Sequence, residues 1–441
     1  MDDRKVEQPM SNMKKMPWAA TIAATLVASP AFGAGFQVNE HSAPNTGRAS
    51  SVTATVDDPS AIFHNPAGLT QTEGTEFQGG VTFIIPRGTY TGPGNDPNGE
   101  VVSQSTTSPV VPVPNAYISR ALSSKAYVGF GFYAPYGLGI AWANPDDFIG
   151  RTVVQELSLR SFFLTPSIAL KLSDMVSVAV GVSLVPATVY LKRVLGATDN
   201  GQTLFPTSRY SQEGTVEIAG SAFGVGANAG VQLTLIDNLK IGLALRSAVD
   251  LSFSGDADFE LPPEAAPEIQ ANFPDQGGSA NLTLPHSISF GIGWVQDSLT
   301  VEASTQVTLW NSYDELRLNF ETGRPTPSSA SPRDWTVVPM FRLGGQYMLD
   351  DLAVRAGVAY DISPAPDETV DPTLPDNDRF IFSAGAGYDF GFLRADVAYM
   401  GLYVFGRDVP AGTNLNFARQ SDSTYEGGFV HVISTSLGVK I

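Results

Sequence analysis

Across 441 residues the chain carries 44 acidic and 26 basic side chains, a formal net charge of −18 that excludes the phosphate backbone of nucleic acid as a partner. Charged residues make up only 16% of it, while aromatics reach 10% and glycine 43 residues; soluble domains carry about 25% charge. Cysteine is absent, which excludes disulfides and thiolate metal sites.

Mean hydropathy is zero, and past residue 33 no run of about 18 apolar residues offers a membrane-spanning helix. Such a composition fits a β-barrel whose strands are apolar only at alternate positions. A large secreted β-solenoid or sandwich shares it.

Taken in chain order, Lys14 and Lys15 precede an apolar, small-residue run over 18–28, followed by Ser29-Pro30-Ala31-Phe32-Gly33. This is the pattern of a cleavable export signal. Residues 1–33 therefore read as a signal peptide, with 1–12 an upstream extension before Met13, and the mature chain as beginning at Ala34.

Residues 34–71 show no period of 2. Two prolines and a glycine interrupt the stretch Asp57-Asp58-Pro59-Ser60-Ala61-Ile62-Phe63-His64-Asn65-Pro66-Ala67-Gly68-Leu69. Short helices are expected over 49–56 and 59–63, the second capped by Asp58. A small compact unit ahead of a barrel reads as a hatch plugging the lumen.

From residue 72 to 441 period-2 alternation dominates. Over 239–253 the odd positions (Leu239, Ile241, Leu243, Leu245, Val249, Leu251, Phe253) read as one apolar face, and the even positions are small or charged. Valines over 176–184 alternate with Ser177, Ala179, Gly181 and Ser183. About fourteen such segments are joined alternately by short turns and long links, as a transmembrane barrel with short periplasmic turns and long outer loops requires. The long links fall at 91–109, 141–151, 195–211, 257–278, 321–333, 363–378 and 407–424. The fold class expected is all-β, a 14-stranded antiparallel transmembrane β-barrel in the outer membrane of a Gram-negative bacterium.

Four stretches carry a resemblance to a known family: Ala34-Gly35-Phe36-Gln37-Val38-Asn39-Glu40; Asp57-Asp58-Pro59-Ser60 leading into Asn65-Pro66-Ala67-Gly68; Pro332-Arg333-Asp334-Trp335; and the pair Tyr360-Asp361-Ile362-Ser363-Pro364-Ala365-Pro366 with Pro375-Asp376-Asn377-Asp378-Arg379-Phe380. In order and spacing they resemble the FadL-type outer-membrane transporters of long-chain fatty acids and other hydrophobic compounds, which include aromatic-hydrocarbon uptake proteins. The resemblance implies capture of a hydrophobic ligand among outer loops. It also implies passage to a pocket inside the barrel, and release into the membrane through a lateral opening at a kink in the third strand.

Here that strand holds Ala134-Pro135-Tyr136-Gly137-Leu138-Gly139, where proline cannot join the ladder and glycine bends it. Ala134, Pro135, Tyr136, Gly137 and Gly139 are the candidate opening, with a simple rim turn as the other reading. Asn65, Pro66 and Ala67 are the candidate gate, expected to face that gap. Phe36 matches the family's ligand-contacting aromatic. Arg193 stands where the family can place a basic partner for a carboxylate; the alternative is an ordinary rim or lumen arginine. Arg324 and Arg333 lie near a second basic position without aligning to it, which keeps neutral hydrocarbons open as substrates.

The four histidines, His41, His64, His286 and His431, fit neither a catalytic triad nor a metal site. No catalytic residue, metal or cofactor is expected. Uptake of fatty acids or similar hydrophobic molecules by a monomer is the leading reading, with a structural or adhesion barrel as the distant one. The expected surroundings are outer-membrane lipid and lipopolysaccharide. Barrels of this type commonly end in an aromatic, whereas this chain ends in Ile441. Either recognition by the barrel-assembly machinery is less efficient here, or Ile suffices.

Overall fold

A computed structural model describes residues 35–93, 101–107, 110–195, 213–263, 267–322, 330–410 and 422–441, with short pieces at 198–199, 202–203, 265 and 412–413. The leader, the start at Ala34 and Arg324 lie outside the described residues.

Alternation produces the wall. The first strand, Thr75–Ile85, pairs antiparallel with the second, Val111–Ala121, and with the last, Gly428–Lys440, so the sheet of fourteen strands closes on itself. Closure leaves no unpaired edge. Between them run the third strand (Ala126–Tyr133, then Gly137–Ala141), the fourth (Glu156–Ser161, then Phe163–Lys171), the fifth (Val176–Leu195) and the sixth (Gly214–Ile236). The seventh (Leu239–Arg246, then Val249–Glu260), eighth (Gln276–Leu284, then Ser287–Gln296) and ninth (Leu299–Leu309, continued by Glu315–Phe320) follow. The tenth to thirteenth are Val337–Leu349, Leu352–Asp361, Arg379–Asp389 and Leu393–Val404. Along the fifth strand Val180, Val182 and Leu184 are exposed, while Ser177, Ala179 and Ser183 are buried inside. Apolar side chains thus face outward over the lower wall.

The reading of 239–253 as one continuous apolar face is corrected by the structure. Leu243 and Leu245 point outward, but Val249, Leu251 and Phe253 are buried inside and Asp250 and Ser252 are exposed. The ladder between the sixth and seventh strands stops at Asn228–Arg246 and resumes at Ser221–Ser254. Six residues (222–227) therefore stand opposite seven (247–253), and one extra residue reverses every later side chain. The eighth strand reverses too, across Pro285-His286: Ile288, Phe290 and Ile292 are exposed and Leu284 is fully buried. In the third strand Tyr133 and then Tyr136 and Leu138 are buried, a change of parity across Ala134-Pro135. Below these breaks the apolar residues of the three strands coat the outside; above them they line the inside.

The N-terminal segment is almost wholly buried against the inward side chains of the wall. Its helices span Ala43–Thr46 and Ala61–His64, followed by a 3-10 turn, Pro66–Gln71. No helix forms over 49–56, because Ala49 and Ser50 take positive φ, which ends the preceding turn. The second helix starts later than expected, with Ser60 at its N-cap position, but the Asp58 carboxylate accepts from the Ser60 amide at 2.9 Å and so caps the turn that leads into it.

A belt of inward glycines seats this segment. A Cβ at Gly230 would overlap Asn65, at Gly242 Thr53, at Gly293 Thr55, and at Gly344 or Gly357 Arg48. The Glu302 carboxylate accepts from the Ala54 amide and the Thr55 hydroxyl. Ser383 accepts from the Ala49 amide and Ser436 from the Ala43 amide. The segment's backbone is satisfied by the wall rather than by its own secondary structure.

Candidate functional site

The segment begins by repairing the third strand. The Val38 amide donates to the Pro135 carbonyl at 2.8 Å, and the Gly137 amide donates to the Phe36 carbonyl at 3.0 Å, so Gln37 and Tyr136 stand directly opposite. Proline and the parity change leave the strand without its own ladder here, and residues 36–38 supply the missing partner.

Gly35 takes φ +65°, and a Cβ there would overlap the Trp310 indole. Phe36 follows, 2% exposed. Its ring lies 4.7 Å from Trp310, 5.8 Å from Tyr313, 5.9 Å from Trp335 and 6.3 Å from Tyr136, mostly edge-on. Edge-to-face pairs suit the ring quadrupoles. Trp310 heads the short turn Trp310–Ser312 after the ninth strand. Trp335 is aimed by Asp334, a non-glycine at φ 49°, while the Arg333 and Asp334 amides both donate to the Asp314 carbonyl.

Above Phe36 opens a cavity with about 830 Å³ of empty space including its mouth. Phe36, Leu138, Leu159, Leu191, Phe253 and Leu318 form its apolar lining, and Ser279, Asn281 and Asn319 its polar edge. Among the described residues no charged side chain lines it. The parity changes in the third, seventh and eighth strands are what bring Leu138, Phe253 and Leu282 to this face.

The loop over 363–378 holds the start of the segment at Gly35. The Asp376 carboxylate accepts from the Gly35 amide at 3.2 Å and the Ser363 hydroxyl at 2.6 Å. Burial pushes its pKa up to about 7 despite Arg379 and these donors. Arg333 pairs with Asp371 at 2.7 Å, with both side chains nearly inaccessible.

The expected site residues separate into groups. Phe36 lines the cavity. Arg193 has the inward parity of Leu191, two residues further along the fifth strand, but is not among the lining residues. The break at Ala134-Pro135-Tyr136 faces residues 36–38. Asn65-Pro66-Ala67 does not face it: the Asn65 side chain donates to Thr53 O at 2.7 Å and Val231 O at 3.1 Å, against the sixth strand. Gly230 lacks the side chain that would exclude it there. Phe273 of the outer link packs on Phe259 at 5.8 Å.

Sequence reading missed a second, polar chamber deeper inside. It has about 440 Å³ of empty space, lined by Asn39, His64, Asn228, Gln306, Arg246 and Arg342 among others. His64 is held neutral by burial, its pKa lowered to about 3.

A family model for outer membrane protein transport proteins (OMPP1/FadL/TodX) matches residues 24–431. The chain belongs to this family. It is 27% identical to the long-chain fatty acid transport protein of Escherichia coli (strain K12), over 91% of this chain and 98% of that one. Its fold is similar to that of a Pseudomonas aeruginosa FadL homologue (TM-score 0.79, 21% identity, 92% of this chain and 99% of that one). The Pseudomonas putida toluene transporter TodX gives a TM-score of 0.68 at 16% identity, over 94% of this chain and 100% of that one. A protein of this family with this closed barrel resides in the Gram-negative outer membrane.

Proposed function

We propose that this barrel takes up long-chain fatty acids or similar hydrophobic molecules across the outer membrane by passive diffusion. The observation that carries the reading is the cavity without a charged lining among the described residues that ends on Phe36, beside a strand break with which residues 36–38 pair. Residues 34–71 act as the hatch that keeps the lumen closed to water-soluble solutes, and 72–441 are the transporting barrel. The ligand leaves sideways at Ala134-Pro135-Tyr136-Gly137, with Gly139 giving room beyond. An apolar chain gains about 0.8 kcal/mol per CH₂ kept from water, so exit into lipid is favoured over exit into the periplasm. Lipopolysaccharide impedes such molecules outside, which gives the protein its task. The chain works as a monomer delivered by the barrel-assembly machinery.

The uncharged lining among the described residues and the pairing of Arg333 with Asp371 favour a second reading within the same route, namely neutral aromatic or aliphatic hydrocarbons.

Gln37 and Tyr136 supply the test. Narrow, non-hydrogen-bonded antiparallel pairs bring Cα atoms to about 4.5 Å, within reach of a disulfide, and the chain has no other cysteine. Gln37→Cys with Tyr136→Cys is expected to block oleate uptake in a transporter-deficient strain when oxidised and to restore it when reduced. Uptake unchanged by oxidation would falsify the lateral route.

A further inference from the structure

Among the described residues four arginines of the lumen form ion pairs, whereas the buried Arg48 donates only to Asn45 and Thr55. Arg333 pairs with Asp371, Arg379 with Asp361, and Arg355 and Arg394 share Asp396. Arg246 forms no ion pair among the described residues. Its guanidinium lies 4.4 Å over the Phe63 ring, one Nη donates to the Phe63 carbonyl at 2.8 Å, and its buried Nε has no partner. Arg342, 6% exposed, donates to Gln306 at 3.0 Å and also leaves its Nε without a partner. The charges of Asp361, Glu40 and Glu302 act on Arg342, but among the described residues no carboxylate lines the chamber that the two arginines share.

An uncompensated cation in a desolvated lumen is costly. Glutamine would fill the Arg246 position at lower cost. Tyr136 packs its ring toward Phe36 and Trp310 at the floor of the apolar cavity, and its hydroxyl lies against Arg246. Tyr136, 1% exposed, therefore stands between the cationic chamber and the apolar cavity, beside the strand break.

We infer that the Arg246–Arg342 chamber is a carboxylate site that receives the head group of a long-chain acid at the third-strand break while the tail occupies the apolar cavity. The inference rests on the uptake reading above. A guanidinium fork with an unused N–H suits a carboxylate, and the neutral polar lining of Asn228, Ser287 and Ser289 supplies further donors. A hydrocarbon has nothing to offer this chamber, so the two arginines set the preference between acid and neutral ligands.

The test compares uptake of oleate with that of oleyl alcohol, which has the same chain and no charge, in a transporter-deficient strain. Heat-modifiable migration confirms that each variant is folded. Arg246→Gln is expected to lower the oleate-to-alcohol ratio about tenfold, the size of one lost charge-assisted hydrogen bond, and Arg246→Lys to restore most of it. Ala244→Asp leaves both arginines in place and puts a competing carboxylate into the chamber; the same fall in ratio is expected. An unchanged ratio in Arg246→Gln and Ala244→Asp overturns the site. Wild-type protein that imports neither compound overturns the uptake reading, and this inference with it.

Discussion

The Gly35 amide donates to the Asp376 carboxylate at 3.2 Å, linking the first described residue to the outer loop over 363–378. Burial raises the Asp376 pKa to about 7, against about 3.9 for a free aspartate. The docked state therefore holds its proton where the released loop has lost it. Stability of docking is full below the released pKa and declines as pH rises through the docked one. Protection of the 363–378 amides, taken relative to their intrinsic exchange rate at each pH, should fall from pH 4 to pH 7, by up to about tenfold per unit, and level off above. Asp376→Asn should flatten the protection curve. Protection that rises with pH would contradict the assignment.

Phe36 holds residues 36–38 on the third strand through four aromatic neighbours. Phe36→Ala is expected to weaken this docking by about 3 kcal/mol, the low end for burying and then deleting a phenyl ring. Trp310 and Trp335 are both nearly inaccessible, so their emission should shift to the red while the barrel remains heat-modifiable. Emission identical to wild type would mean that the cage stands without its central ring.

Much of the wall was legible because period 2 survives wherever one face meets lipid. The outward Val180, Val182 and Leu184 and the inward Arg355 of the eleventh strand follow directly from alternation. The apolar cavity was not legible, because its lining depends on breaks that leave the sequence period intact. Leu245 and Val249 are in phase in the chain yet on opposite sides of the wall, since the extra residue at 247–253 is a property of pairing with the sixth strand. The seat of the N-terminal segment was equally hidden. Gly344 and Gly357 look like any strand glycine until Arg48 is placed against them. Arg246 reads as one more lumen charge until its lack of a carboxylate partner is seen beside four arginines that have one.

That glycine seat makes a prediction of its own. At Gly344 an added side chain would collide with backbone atoms of Arg48, and at Gly242 with those of Thr53. Backbone cannot yield as a flexible side chain can, and overpacking costs about 1–3 kcal/mol per site. Gly242→Val with Gly344→Val should lift the segment from the wall without breaking the ladders around it. Purified protein in planar bilayers should then conduct ions at least about fivefold more than wild type, an opening of the size that such a cost permits. Conductance at the wild-type level, with the barrel intact, would show that the segment does not close the lumen.

Arg333 and Asp371 form a pair in which both side chains are nearly inaccessible, and Asp371 also accepts from the Thr373 amide at 2.8 Å. The Thr369 hydroxyl donates to the Arg333 carbonyl, so the pair stitches the loop over 363–378 to the stretch that presents Trp335. Removing one partner leaves a buried charge alone, at a cost of about 3–5 kcal/mol. Arg333→Met should therefore expose 363–378 to protease and loosen the aromatic cage. Replacing both groups removes the uncompensated charge, so adding Asp371→Leu to Arg333→Met should recover most of the protection. If the double variant is cleaved as fast as the single one, the pair matters for its geometry and hydrogen bonds rather than for charge balance. If Arg333→Met alone is cleaved no faster than wild type, the pair does not hold the loop.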